Sequence, residues 1–185
     1  MPTVVWPAAA VSAGGLFLNW ASSLLGRGRA IFNPEHVPVW VPYPRGERSP
    51  LDDPKRRAEL HDLDLTHGPA GARRAAYEAS GFVVRRMLDL GGTLADAKRI
   101  VATGGGIRDA EWVQAVADAT QLPVDVAGVP EGAALGAAWL ARMAAGLESG
   151  MDGASRSAST SHQVEPDPLW ADAMAARYER FRALA

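Results

Sequence analysis

The 185-residue chain contains no cysteine. That excludes disulfides and thiolate metal sites, and makes a cytoplasmic location the simple expectation. A charge imbalance is also missing: 19 Lys and Arg stand against 21 Asp and Glu, a net charge of −2. Electrostatics therefore give no reason to expect nucleic acid or an anionic membrane as partner. The histidines, His36, His61, His67 and His162, lack any metal-ligand spacing. No internal repeat is visible. No charged residue precedes Arg27, yet no basic segment opens the chain, and Pro7, Ser12, Gly14, Gly15 and Asn19 interrupt its apolar run. This pattern fits neither a signal peptide nor a membrane span. It reads as a strand over 3–11 followed by a buried helix over 13–25, which Gly26 ends. What remains is ordinary for a globular protein, with 48% hydrophobic and 22% charged residues and length enough for one full core.

Pro34, Pro38, Pro42, Pro44, Pro50 and Pro54 exclude a regular helix from residues 33–54, leaving an edge strand over 37–43 and loops. Residues 69–90 carry the clearest helical signal. Pro69 suits a first turn, Ala72, Ala75, Ala76, Ala79, Phe82, Val83, Met87 and Leu90 form one apolar stripe, and Gly91-Gly92 stops it. Arg73, Arg74, Glu78, Arg85 and Arg86 fall largely off the stripe. Gly81 costs such a helix about 1 kcal/mol relative to alanine, which a close packing partner would explain. A layered α/β pattern follows: strand 98–102, loop 103–106, a helix to 120 capped by Asp109, strand 123–127, and an Ala- and Gly-rich helix over 131–145. Residues 149–164, rich in Ser, Gly and Ala, read as a flexible linker between a main domain over 1–148 and a docking helix over 165–185.

The candidate site is the run Thr103-Gly104-Gly105-Gly106 between strand and helix. Glycine reaches positive φ and leaves room for a ligand against the backbone, while the next helix offers free N–H groups and its positive dipole end. The run is neither a Walker A loop, since no Gly-Lys-Ser/Thr follows, nor a Gly-x-Gly-x-x-Gly fingerprint. Taken alone it is equally a tight turn needed for packing. Gly136, in the later helix, reads as a close helix contact.

Several segments together carry a resemblance. The stretch from Val101 through Thr103-Gly104-Gly105-Gly106-Ile107-Arg108-Asp109 to Gln114, then Pro130-Glu131-Gly132-Ala133-Ala134-Leu135-Gly136, is similar to the C-terminal domain of FGGY-family carbohydrate kinases. Gly46-Glu47-Arg48-Ser49-Pro50 resembles that family's Gly-Glu-Arg-Thr-Pro segment, and Ser12-Ala13-Gly14-Gly15 through Asn19-Trp20 the helix start before it. The resemblance implies an α/β domain of the actin-like ATPase (ribonuclease H-like) fold that binds ATP in a cleft against a second domain. It implies that Gly105 and Asp109 contact adenosine, that Gly15 and Asn19 contact the nucleotide, and that Gly104 and Gly106 shape the loop. Asn19 reads equally as a helix-surface amide. Asp109 stands where the family often has Ser or Asn, while Arg57-Ala58 and Asp62-Leu63 depart from its usual Arg-Gly and Gly-Leu.

The family's first phosphate loop, sugar site, catalytic aspartate and most magnesium contacts have no counterpart in these residues. The expectation is the ATP-binding half of a sugar kinase, with Mg2+ held mainly by an amino-terminal domain, no catalytic residue here and no activity alone. Apolar surface left by that domain makes a homodimer conceivable. The alternatives are a module of another actin-like ATPase or a non-catalytic remnant.

Overall fold

A computed structural model describes residues 15–26, 33–157 and 159–185, with no side-chain description for 155–157. The strand expected over 3–11 lies outside the described residues. Helix α1 (Gly15–Leu25) buries Phe17 and Ala21. Two short strands, β1 (Val39–Val41) and β2 (Glu59–His61), pair antiparallel with Trp40 opposite Leu60. β2 has only three residues and no apolar alternation, and it is absent from the sequence reading. Helix α2 (Pro69–Leu90) has the expected limits, with Pro69 in its first turn and Gly91 as its C-cap.

The second half is built on a three-stranded sheet. β3 (Ile100–Ala102) runs parallel to β4 (Val124–Ala127), and β5 (Thr160–Val164) closes antiparallel on the far side of β4. Between β3 and β4 lie a 3-10 turn (Gly105–Arg108) and α3 (Ala110–Thr120). After β4 come α4 (Gly132–Ala144) and a 3-10 segment (Met151–Ser157). A further 3-10 turn (Pro168–Trp170) leads into α5 (Ala171–Leu184).

The linker reading of 149–164 is therefore corrected. Residues Thr160–Val164 are a sheet strand, with Val164 opposite Val124 and Gln163 opposite Asp125. The strand is polar and largely exposed, so no hydrophobic alternation announced it. It is held by the backbone ladder and by Gln163 Nε2 donating to Asp125 Oδ1 at 2.6 Å.

Two apolar clusters organise the chain. One joins Phe17, Trp40, Tyr43, Ala75, Ala79, Phe82, Met174, Tyr178 and Phe181, so α1, β1, α2 and α5 share a core. The other puts Val113, Val116 and Ala117 of α3 against Val124 and Val126, with Ile100, Ala102 and Val164 alongside. α2 and α3 link the two. The partner expected at Gly81 is α3: a Cβ there would lie 2.7 Å from the Cβ of Ala119.

That contact also alters the reading of the charged residues on α2. Arg73, Arg74 and Glu78 fall largely off the apolar stripe, yet all three are buried, because α3 covers the side of α2 that the core leaves open. Glu78, 1% exposed, accepts from Arg74 Nε at 2.8 Å and from Arg177 Nε and Nη2 at 2.7 and 2.9 Å. Arg74 also reaches Asp118 Oδ2 at 2.6 Å, and its guanidinium sits 3.9 Å from the centre of the Trp170 ring. Asp118 Oδ1 accepts from Gln114 Nε2 and from the backbone N–H of Asp167. Arg74, Glu78, Asp118 and Arg177 thus each meet opposite charge and hydrogen bonds, the condition under which burial is tolerated.

Candidate functional site

Three helices converge on one polar cleft of about 740 Å3. The end of α1 contributes Asn19, Ser22 and Ser23, α2 contributes Arg73 and Tyr77, and the start of α3 contributes Arg108, Asp109 and Glu111. Asn19, Ser22 and Ser23 recur at helical spacing on the side of α1 away from buried Phe17 and Ala21. A helix otherwise so apolar therefore turns one polar stripe to the cleft.

The glycine run ends at this cleft. Gly104 has φ 90° and ψ −175°, which only glycine adopts readily, and its N–H donates to Pro130 O at 2.9 Å. Gly106 lies against Trp112, whose ring would be 3.0 Å from an added Cβ. At Gly105, as at Gly104, a Cβ would meet nothing within 4 Å, so open backbone surface lies in front of both. The 3-10 turn then delivers Arg108 and Asp109 to the cleft.

Asp109 is the N-cap of α3. Its Oδ1 accepts from the N–H groups of Glu111 and Trp112, both at 3.1 Å, and its Oδ2 accepts from the Tyr77 hydroxyl at 2.7 Å. Burial, and then the adjoining Asp109 carboxylate, push the Tyr77 hydroxyl well above its ordinary pKa. A second clip runs beside it, Trp112 Nε1 donating to Ser80 Oγ at 2.7 Å. α2 thereby fixes the start of α3 and the turn that precedes it.

Of the residues singled out from sequence, Asn19 and Asp109 line the same cleft. Gly104, Gly105 and Gly106 adjoin it through the turn without lining it. Gly15 is exposed at the first position of α1 and is not among the lining residues. Sequence reasoning missed Arg73, Tyr77, Ser22, Ser23, Arg108 and Glu111. The 19-22-23 spacing was a usable signal, whereas Arg73 and Tyr77 need the α2–α3 packing to be known. Among the described residues no three His, Asp or Glu side chains converge as metal ligands. Asp109 and Glu111 are the carboxylates at the cleft, and Asp109 already accepts three hydrogen bonds from the cap and Tyr77. No described helix is long and apolar enough to cross a membrane.

Residues 8–145 match the model for the C-terminal domain of the FGGY family of carbohydrate kinases. The glycerol kinase of Allorhizobium ampelinum is 35% identical over 145 residues, covering 76% of this chain and 29% of that protein. The xylulose kinase of Klebsiella pneumoniae is 33% identical over 137 residues, covering 69% of this chain and 28% of that protein. The crystal structure of xylulose kinase from Rhodospirillum rubrum superposes with a TM-score of 0.75 at 29% identity, over 94% of this chain and 38% of the other. The chain thus spans about 29% of the length of such curated relatives.

Proposed function

Since the chain belongs to the FGGY family of carbohydrate kinases and has the actin-like ATPase fold of that family's C-terminal domain, we propose that it is the nucleotide-holding portion of an ATP-dependent sugar kinase. The observation that carries this reading is the convergence of Asn19, from α1, with Asp109, at the start of α3, on one polar cleft beside an open glycine turn. Adenosine would lie across the backbone at Gly105, with Asn19, Ser22 and Ser23 as hydrogen-bonding groups and Arg73 and Arg108 as the nearby cations. Asp109 acts first as the cap that aims the turn, and its Oδ2 keeps a second lone pair for a ribose hydroxyl.

ATP supplies the phosphoryl group in such a reaction, and transfer rests on positioning and charge stabilisation. The residues of this chain contribute only binding and orientation of the nucleotide. The sugar, the magnesium ion and the base that accepts the sugar proton belong, on this reading, to the kinase regions outside the matched segment. The 185-residue chain therefore binds adenine nucleotide weakly and phosphorylates nothing.

Isothermal calorimetry with a non-hydrolysable ATP analogue tests the site. Gly105→Glu places a side chain where Cβ meets only open space, so the fold should persist while nucleotide binding falls at least tenfold. Unchanged affinity in that variant, or no saturable binding by the parent chain, overturns the assignment. Sugar-dependent ADP release by the purified chain would contradict the division of labour.

A further inference from the structure

Arg74 and Glu78, in the first half of α2, meet opposite charge inside the fold. Arg86, in its second half, meets a different set of groups. One neighbour is Tyr43, which lies just after β1 and is fully buried. Burial holds the Tyr43 hydroxyl above its ordinary pKa, so it is neutral at physiological pH. Three charged groups act on that hydroxyl: Arg86 from α2, and Glu47 and Arg56 from the loop between β1 and β2. Arg56 also reaches the end of α5, where its Nη2 donates to Leu184 O. Two cations therefore stand with one carboxylate and one neutral phenol.

Glu47, 3% exposed, turns one carboxylate oxygen back on its own loop. Its Oε1 accepts from the N–H groups of Arg48 at 2.7 Å and Ser49 at 3.2 Å. Tyr43 Oη, Arg56 Nε and Arg86 Nη1 are each shut off from solvent, and none of the three atoms has a hydrogen-bond partner among the described residues. One neighbourhood thus gathers a hydroxyl and two guanidinium N–H groups that lack acceptors, together with an excess of positive charge. Both conditions are unfavourable in a protein interior unless an acceptor of negative charge is supplied. A water molecule would bring two more donors to a place already short of acceptors. A halide-sized anion accepts several N–H and O–H groups at once and supplies the missing charge.

We propose that Tyr43, Arg56 and Arg86 form a buried anion site that takes a small monovalent anion of the size of chloride. The bound anion ties α2 to the loop between β1 and β2 and, through Arg56, to the end of α5. The site belongs to the first apolar cluster through Tyr43 and shares no residue with the polar cleft, so it does not depend on how that cleft is read.

The test unfolds the 185-residue chain with urea in increasing sodium chloride, with sodium methanesulfonate holding the ionic strength constant. An anion bound by the folded chain alone lowers the unfolding constant by the factor 1 + [anion]/Kd. A saturable fall of about tenfold is therefore expected once chloride reaches about nine times its Kd, and bromide should act in the same way. Tyr43→Phe keeps the ring and removes one donor, and should weaken chloride binding about tenfold. Arg86→Met should abolish the chloride dependence. Arg85→Met removes the neighbouring guanidinium, which lies 4.1 Å from the centre of the Tyr178 ring, and should keep the full dependence. Crystals soaked in bromide should show an anomalous peak within hydrogen-bond distance of Tyr43 Oη and Arg86 Nη1. The proposal is overturned if chloride and methanesulfonate affect unfolding equally, or if Tyr43→Phe responds to chloride as the parent does. It is equally overturned if Arg85→Met loses the dependence as fully as Arg86→Met, or if bromide is found only at other places on the molecule.

Discussion

α2 and α4 invert what is usually inside and outside. α2 carries Arg73, Arg74 and Glu78 in its first half and buries all three. α4 is almost wholly apolar and buries one residue, Trp139. The difference lies in what surrounds each helix. α2 is enclosed by α1, β1 and α5 on one side and α3 on the other, so even its charges find partners within the chain. α4 meets the Met151–Ser157 segment and, at Gly132, Thr103 of the loop after β3, and otherwise faces outward. Side-chain polarity alone therefore does not say which helix lies at the centre; the number of enclosing elements does.

The largest test of this contrast is Glu78→Ala, which leaves the guanidiniums of Arg74 and Arg177 facing an emptied buried site. Breaking a buried charge network by removing one partner costs about 3–5 kcal/mol. Urea unfolding should show a loss of that order, and a loss below about 1 kcal/mol would mean the network is not the centre of the fold. An intermediate effect is expected at Tyr77→Phe, which removes one hydrogen bond to Asp109 and should cost about 1 kcal/mol at neutral pH. Its pH dependence is more specific. The Tyr77 hydroxyl is raised in the folded state, so its stabilising effect is complete below the ordinary tyrosine value of about 10 and is lost as pH rises beyond it. The parent should lose stability above that pH more steeply than Tyr77→Phe, and parallel curves would show that the Tyr77–Asp109 clip is not formed in solution. The smallest effect belongs to α4. Leu140→Gln should leave the unfolding free energy of the isolated chain within about 0.5 kcal/mol of the parent and reduce self-association. A penalty close to that of Glu78→Ala would erase the distinction between the two helices.

The sequence was most legible where local signals agreed with tertiary demands. Pro69, the apolar stripe and Gly91-Gly92 bounded α2, and Asp109 marked the start of α3 because capping is decided within three residues. It was least legible where distant partners decide. Arg74 and Glu78 stand four residues apart, a spacing equally suited to a solvated helix surface, and only Arg177 and Asp118 reveal that the pair is enclosed. β5 has no apolar face of its own, and its identity is conferred by β4. For the candidate site, spacing alone left the glycine run ambiguous. The family resemblance drew Asn19 and Asp109 into one reading, and folding brings them to one cleft. Tyr77 and Arg73 could be found only from the crossing of α2 and α3.

The segment that reads as a tether belongs to the same folded unit as the residues before it. The family match ends at residue 145, ahead of β5 and α5. A boundary drawn there would strip β4 of one neighbour, withdraw Arg177 from Glu78 and remove Trp170, Met174, Tyr178 and Phe181 from the first core. The folded unit thus reaches into α5, and a piece cut at residue 145 would be a sheet short of one strand, its Glu78 left with Arg74 but without Arg177.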